Sequence, residues 1–191
     1  MARIGLLKPR IAKYTASGTT VTYSNGQILA KAIDHDLTLN NSDPVILYAD
    51  DGAAESVGGF SFGTLTVTVD ELPIEIAALL FGIEAETSTQ PAGSIITFDD
   101  DAEPPYLGYG VIVPKIRNNV RTWMAVLLMK VKFSIPGDAY TTKGETVEFG
   151  TPQLTATVAR DDSAKHSWRK WAEFGTEEAA NTWLNTQLSI T

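Results

Sequence analysis

Apolar and polar side chains alternate with a period of two through most of the chain, the spacing that sends successive side chains to opposite faces of a β-strand. In Thr64 to Val69, Leu65, Val67 and Val69 form one face, and Thr64, Thr66 and Thr68 form the other. Met129, Val131, Phe133 and Ile135 alternate with Lys130, Lys132 and Ser134, and Leu154, Ala156 and Val158 alternate with Gln153, Thr155 and Thr157. Each pattern predicts a strand with one face in a core and one outside it. Weaker strand patterns occupy Thr19 to Tyr23, Leu29 to Leu39, Pro44 to Tyr48, Leu107 to Val113 and Thr146 to Phe149, about eight strands in all.

Two segments switch to helical spacing. Ile74, Ala77, Ala78 and Phe81 recur at i, i+3, i+4 and i+7, and Ile76, Leu79 and Leu80 widen the stripe, so a helix over about 73–81 must be covered. Asp70 is placed to cap it, Pro73 suits its first turn, and Gly82 its end. A second helix is predicted from Glu177 to Leu188, with Thr176 as N-cap, two acids at the positive end of the dipole, and a stripe of Ala180, Trp183, Leu184 and Leu188.

Three polar stretches interrupt these elements. Asn40 to Gly59 holds Pro44, Asp50-Asp51-Gly52 and Gly58-Gly59, and reads as a strand plus a long loop or an extended hairpin. Glu84 to Pro105 carries the acidic cluster Asp99-Asp100-Asp101-Ala102-Glu103, and Ala159 to Gly175 is a charged connector to the last helix. Long loops in a small domain often carry function.

Composition narrows the class. The chain has 191 residues, a net charge of -8, 43% hydrophobic residues and no cysteine. That length fits one domain, or one domain with an appendage, burying roughly 70% of the surface its unfolded form exposes. Without cysteine there are no disulfides, thiolate metal sites, iron–sulfur clusters or cysteine nucleophiles. The N-terminal residues form no signal-peptide core before Lys8 and Pro9, and the longest apolar run, Trp123 to Met129, is far short of the ~20 residues a spanning helix needs. These features predict a soluble protein made inside the cell, with no membrane partner. The acidic balance argues against an electrostatic grip on nucleic acid by the whole protein.

The candidate chemistry is thin. Gly59-Phe60-Ser61-Phe62-Gly63 matches a nucleophile-elbow pattern, but a strand follows it where a helix is required, and neither His35 nor His166 is marked as a base. Asp34 and Asp36 share one strand face and His35 takes the other, which defeats a three-ligand site. Asp99 to Glu103 lacks the spacing of a calcium loop and reads as a solvated acidic turn. Gly108-Tyr-Gly110 runs into a strand, so it is no phosphate cradle. Lys165-His-Ser-Trp-Arg-Lys-Trp171 interleaves cations with aromatics, as single-strand binders do, yet acids flank it. Trp168 and Trp171, three apart, are expected to dock a turn of helix. No catalytic residue, cofactor or metal site emerges.

Several segments, taken in order, resemble the major tail protein, or tail tube protein, family of long flexible-tailed bacteriophages. They are Leu47-Tyr-Ala-Asp-Asp-Gly-Ala-Ala-Glu55, Leu65-Thr-Val-Thr-Val-Asp-Glu-Leu-Pro73 with the helix to Gly82, Pro104-Pro-Tyr-Leu-Gly-Tyr109, Lys130-Val-Lys-Phe133, and Thr142 to Phe149 with Thr151-Pro152. The likeness covers about residues 3 to 160 and departs from the family pattern at Gly110 to Lys115 and after Arg160.

The resemblance implies a mainly β, two-sheet sandwich or barrel-like tail tube fold with one flanking helix, to which the residue pattern adds long loops and a C-terminal helix. Residues 1–160 would form the tube domain with its long loop 40–59, and 161–191 a C-terminal arm and helix. The implied function is structural, without enzymatic activity. Hexameric rings stack into a tube around the tape measure protein, meet tail terminator and baseplate proteins, and conduct double-stranded DNA without sequence-specific binding. Such a protein is made in the host bacterial cytoplasm and ends in the virion tail. Leu47, Tyr48, Asp50, Asp51 and Glu55 are the expected inter-subunit loop. Thr64, Thr66, Thr68, Gln153, Thr155 and Thr157, polar although borne on strands, are the expected lumen or inter-subunit face. Alternatives are a related secretion tube subunit and a β-sandwich adhesin or carbohydrate-binding module using Tyr106, Tyr109 and Trp123. A further alternative is a metal-assisted hydrolase using Asp99 to Glu103.

Overall fold

The computed structural model describes residues 2–42, 45–49, 52–57, 59–89, 91–137 and 150–190. Its strands are β1 (Ala2–Arg3), β2 (Leu7–Ser17), β3 (Thr20–Ile28), β4 (Ala32–Asn41), β5 (Val45–Ala49), β6 (Gly52–Val57), β7 (Phe60–Val69), β8 (Ala85–Thr89), β9 (Ala92–Ile96), β10 (Tyr106–Arg117), β11 (Val120–Phe133), β12 (Gln153–Ala159) and β13 (Arg169–Phe174). The helices are α1 (Ile74–Phe81) and α2 (Glu177–Gln187). The fold is mainly β, as the alternation predicts.

Nine strands join one antiparallel sheet in the order β3-β2-β10-β11-β12-β7-β4, with β1 added to β10 and β13 to β11. Strand β11 is long enough to serve two neighbours. Its middle, Trp123 to Leu128, pairs with β13, and its last four residues pair with β12. The sheet folds back on itself, because His35 on β4 stacks against Tyr109 on β10, with ring centroids 5.7 Å apart, although three strands separate them in the ladder. Two wings therefore enclose one core, in which Ile11, Leu65, Val67, Tyr109, Leu128 and Leu154 are fully buried. Helix α1 packs against this core through Ile76, Ala77, Leu80 and Phe81.

Helix α1 begins where expected but is not capped by Asp70. Pro73 is the N-cap and makes no side-chain cap bond, while the Asp70 carboxylate accepts from the backbone N–H groups of Lys31 and Glu71, both at 3.0 Å. With Glu71 and Leu72 intervening, the carboxylate instead ties the start of β4 to the end of β7. Ile74, predicted to be on the buried stripe, is 40% exposed, because the covered face is set by Ile76 and Leu80. At the other end, Gly82 adopts the left-handed conformation (φ 71°) that favours glycine and donates its N–H to the Ala78 carbonyl.

A second layer lies on the opposite face of β10 and β11. Met124, Val126 and Leu128 point into the main core, while Ala125, Leu127 and Met129 meet Ala180, Leu184 and Leu188 of the C-terminal helical segment. Burial on both faces erases alternation, so the continuous run Trp123 to Met129 is strand throughout, not only from Met129. Helix α2 is capped as predicted, with Thr176 accepting from the Ala179 N–H. The C-terminal segment approaches β10 so closely that a Cβ on Gly108 would lie 2.9 Å from Leu188 and one on Gly110 2.9 Å from Leu184, while Tyr23 of β3 would lie 2.5 Å from the Gly108 Cβ. Arg10, 2% exposed, is buried in the same layer and donates to Asn181 of α2.

Other boundaries move. Strand β2 was not predicted, β3 continues past Tyr23 to Ile28, and Leu29 to Lys31 are not strand. Leu29 donates instead to the Pro9 carbonyl. The expected strand at Thr146 to Phe149 lies outside the described residues. Trp168 and Trp171 do not sit on a helical turn; Arg169–Phe174 is strand β13, hydrogen-bonded along β11.

Candidate functional surface

The one-sided strands place a polar array on the outer face of the wing formed by β12, β7 and β4. Register sets Gln153, Thr68 and Asp34 in one row, Thr155, Thr66 and Asp36 in the next, and Thr157, Thr64 and Thr38 in the third. Strand geometry spaces these rows by about 7 Å and the strands by about 4.8 Å. Gln153, Thr155, Thr157, Asp34, Asp36 and Thr38 are exposed, and the central Thr64, Thr66 and Thr68 are half-buried between them. Behind the array, Leu154, Ala156, Val158, Leu65 and Val67 are core, so the wing is a thin wall with a dry face and a wet one. Thr38 donates to the Asp36 carboxylate at 3.2 Å.

The array holds two carboxylates and no cation. The nearest lysines on its flank, on β11, are held by acids. Lys132, opposite Thr157, donates to Glu103 at 2.8 Å, and Lys130 donates to Asp162 at 2.7 Å. The lysine hydrogen bond holds the Glu103 carboxyl below its usual range, and hydrogen bonds from Lys130 and Tyr14 do the same for Asp162. Both acids therefore stay charged at neutral pH and pin their lysines. The Lys130 and Lys132 ammonium groups also lie 4.5 and 5.5 Å from the centre of the Tyr106 ring, within cation–π range.

The six predicted strand-face residues are brought together, in directly opposed pairs. Asp34, Asp36 and Thr38 belong with them. The shared face of the two acids was legible; their place beside Thr68 and Thr66 depended on pairing between distant strands. Of the predicted loop residues, Leu47 faces Glu55 across the ladder and Tyr48 faces Ala53, in a two-stranded hairpin outside the main sheet. Asp50 and Asp51 lie outside the described residues.

The remaining candidate sites do not assemble. Ser61 lies within β7, which runs on to Val69 with no elbow. His35 turns inward, its Nδ1 3.1 Å from the buried Tyr109 hydroxyl, and burial holds the ring below its usual pKa against the opposite pull of Asp36 and Asp34. His166 Nδ1 lies 3.3 Å from the Asp161 carbonyl oxygen in the turn before β13. Tyr106, Tyr109 and Trp123 form no aromatic platform, because Tyr109 is wholly buried and Trp123 packs toward α2.

One cluster escaped the sequence reading. The Phe60 and Trp168 rings stack with centroids 4.3 Å apart, and the Arg169 guanidinium lies 4.3 Å from Trp168 and 4.1 Å from Trp171. Trp171 remains 55% exposed. No protein-family model matches the chain, and no curated protein matches it.

Proposed function

We propose that this protein is a structural subunit of a phage tail tube, self-assembling into stacked hexameric rings that form the channel for double-stranded DNA. The observation that carries the reading is the hydroxyl and carboxylate array on an uncovered sheet wing whose other face is core. An antiparallel sheet commonly keeps one face wet; in a ring, such wings side by side make a continuous inner wall.

The edges supply the means of closure. Strand β4 ends the sheet, bonded only to β7 among the described residues. An open edge of this kind presents unpaired backbone groups that another chain can satisfy. Repeating one head-to-tail contact around a rotation axis closes a ring. The β5–β6 hairpin, standing outside the main sheet, reaches the neighbouring subunit in this reading.

The chemistry of the wall follows from what lines it. Threonine hydroxyls exchange hydrogen bonds with water at little cost, and Asp34 and Asp36 repel phosphate. With the flanking lysines paired to acids, no free cation of the array is left to hold the duplex. A ring of six copies would carry roughly -48. DNA then slides through without sticking. The tape measure protein occupies the bore before the DNA does, and terminator and baseplate proteins close the two ends of the tube.

Electron microscopy of the concentrated, purified protein tests the reading. Rings or hollow tubes are expected, and a strictly monomeric particle at every concentration would overturn it.

A further inference from the structure

The aromatic cluster, half-buried except for Trp171, and the acidic turn carry opposite charge on the same molecule. Residues 163–172 contain Lys165, Arg169 and Lys170 and no carboxylate, on a chain whose net charge is -8. The cationic strip is built around an ordered anchor. Phe60, Trp168, Arg169 and Trp171 form one continuous stack, and the Arg160 guanidinium fixes its inner end by donating to the Phe60 carbonyl. Trp171 ends the stack in solvent, Lys170 leaves the same strand from its opposite face, and Lys165 lies in the turn before it; both lysines are exposed, with no salt bridge among the described residues. Strand β13, which carries Trp171, is bonded only to β11, so its outer edge has no partner strand among the described residues.

The acidic turn is the inverse. Phe98 is 53% exposed, and Asp99, Asp100 and Asp101 after it are exposed and form no salt bridge among the described residues. Within one molecule Trp171, the anchor of the strip, is far from the turn. Glu103, at the end of the turn, is tied to Lys132, whereas Trp171 stands opposite Val126, six residues back along β11. At strand rise that is about 20 Å.

We infer that the outer β13 edge, with Trp171 and the cations around it, docks the Phe98 to Asp101 turn of a second copy. The contact rests on the tube reading and gives it one specific joint. Exposed Trp and Arg held rigid in advance are the usual anchors of protein interfaces, and opposed charges steer the approach and reject wrong pairings. Because the two patches differ, the contact is head-to-tail. Every copy offers one free donor patch and one free acceptor patch, which suits an assembly that grows or closes.

The test uses two charge-reversed proteins. Lys165→Glu with Lys170→Glu makes the strip acidic, and Asp99→Lys with Asp101→Lys makes the turn basic; all four positions are exposed, and thermal melts check that the fold is kept. Each protein alone is expected to need about tenfold more protein to assemble, read by light scattering and sedimentation. An equimolar mixture should recover assembly, because each reversed patch then meets its complement. If the wild-type chain assembles and either variant assembles equally well, or the mixture fails to recover, the joint is wrong and the tube reading stands. If the wild-type chain does not assemble, both fall.

Discussion

His35 shows how one residue can be legible in direction and illegible in role. Strand parity separates it from Asp34 and Asp36, and the structure keeps that separation: two carboxylates outside, one imidazole inside. Its partner Tyr109 comes from a strand on the opposite wing, which no local spacing reveals. Burial disfavours the charged ring, so in the folded state His35 takes up a proton only below its ordinary range, while the unfolded chain binds one near pH 6.5. As pH falls through that window, the unfolded state holds more protons, and stability must fall with it. Urea midpoints measured from pH 7.5 to 5.5 should drop in the wild-type protein and drop less in His35→Gln, which keeps an acceptor for the Tyr109 hydroxyl. Equal slopes would mean that His35 does not titrate against folding.

Elements with one wet face were readable, and elements covered on both sides were not. Strands β7 and β12 alternate cleanly because water touches one side of each. The middle of β11 loses its pattern because α2 covers what would otherwise be its outer face. Strand β2 hides for a different reason: Pro9 argues against a strand and the charged Arg10 against burial. The structure accommodates the proline beside a register shift in the β2–β10 ladder and packs Arg10 toward α2. Strand β13 was misread because two tryptophans three apart imitate a helical stripe; Trp168 precedes the strand, so the spacing carries no period.

The seat of α2 belongs to this scale as well. It depends on the absence of side chains at Gly108 and Gly110. Tyr23 cannot swing away from Gly108 freely, since its hydroxyl donates to the Met129 carbonyl at 2.7 Å. Gly108→Ala is therefore expected to cost about 1–3 kcal/mol through overpacking, measured by urea denaturation. A neutral effect would show that Tyr23 and Leu188 yield to a methyl group.

At the scale of the whole molecule, the account joins a dry core, a helical cover on one side and an uncovered polar wall on the other. Missing cysteines leave stability to packing and, in the tube reading, to many copies of the same contacts. They also provide a clean probe, since an introduced thiol is the only one in the chain. Thr155→Cys places it in the centre row of the proposed bore wall, and Thr182→Cys places it on the exposed outer face of α2. The decisive measurement is the rate at which each variant reacts with a maleimide too bulky to enter the bore, before and after assembly. The account predicts that assembly protects the thiol of Thr155→Cys from the bulky reagent, but not from a small one, while Thr182→Cys reacts at the same rate throughout. If the Thr155→Cys thiol in assembled tubes reacts with the bulky reagent as fast as in free subunits, the threonine wall does not face the bore and the central claim is contradicted.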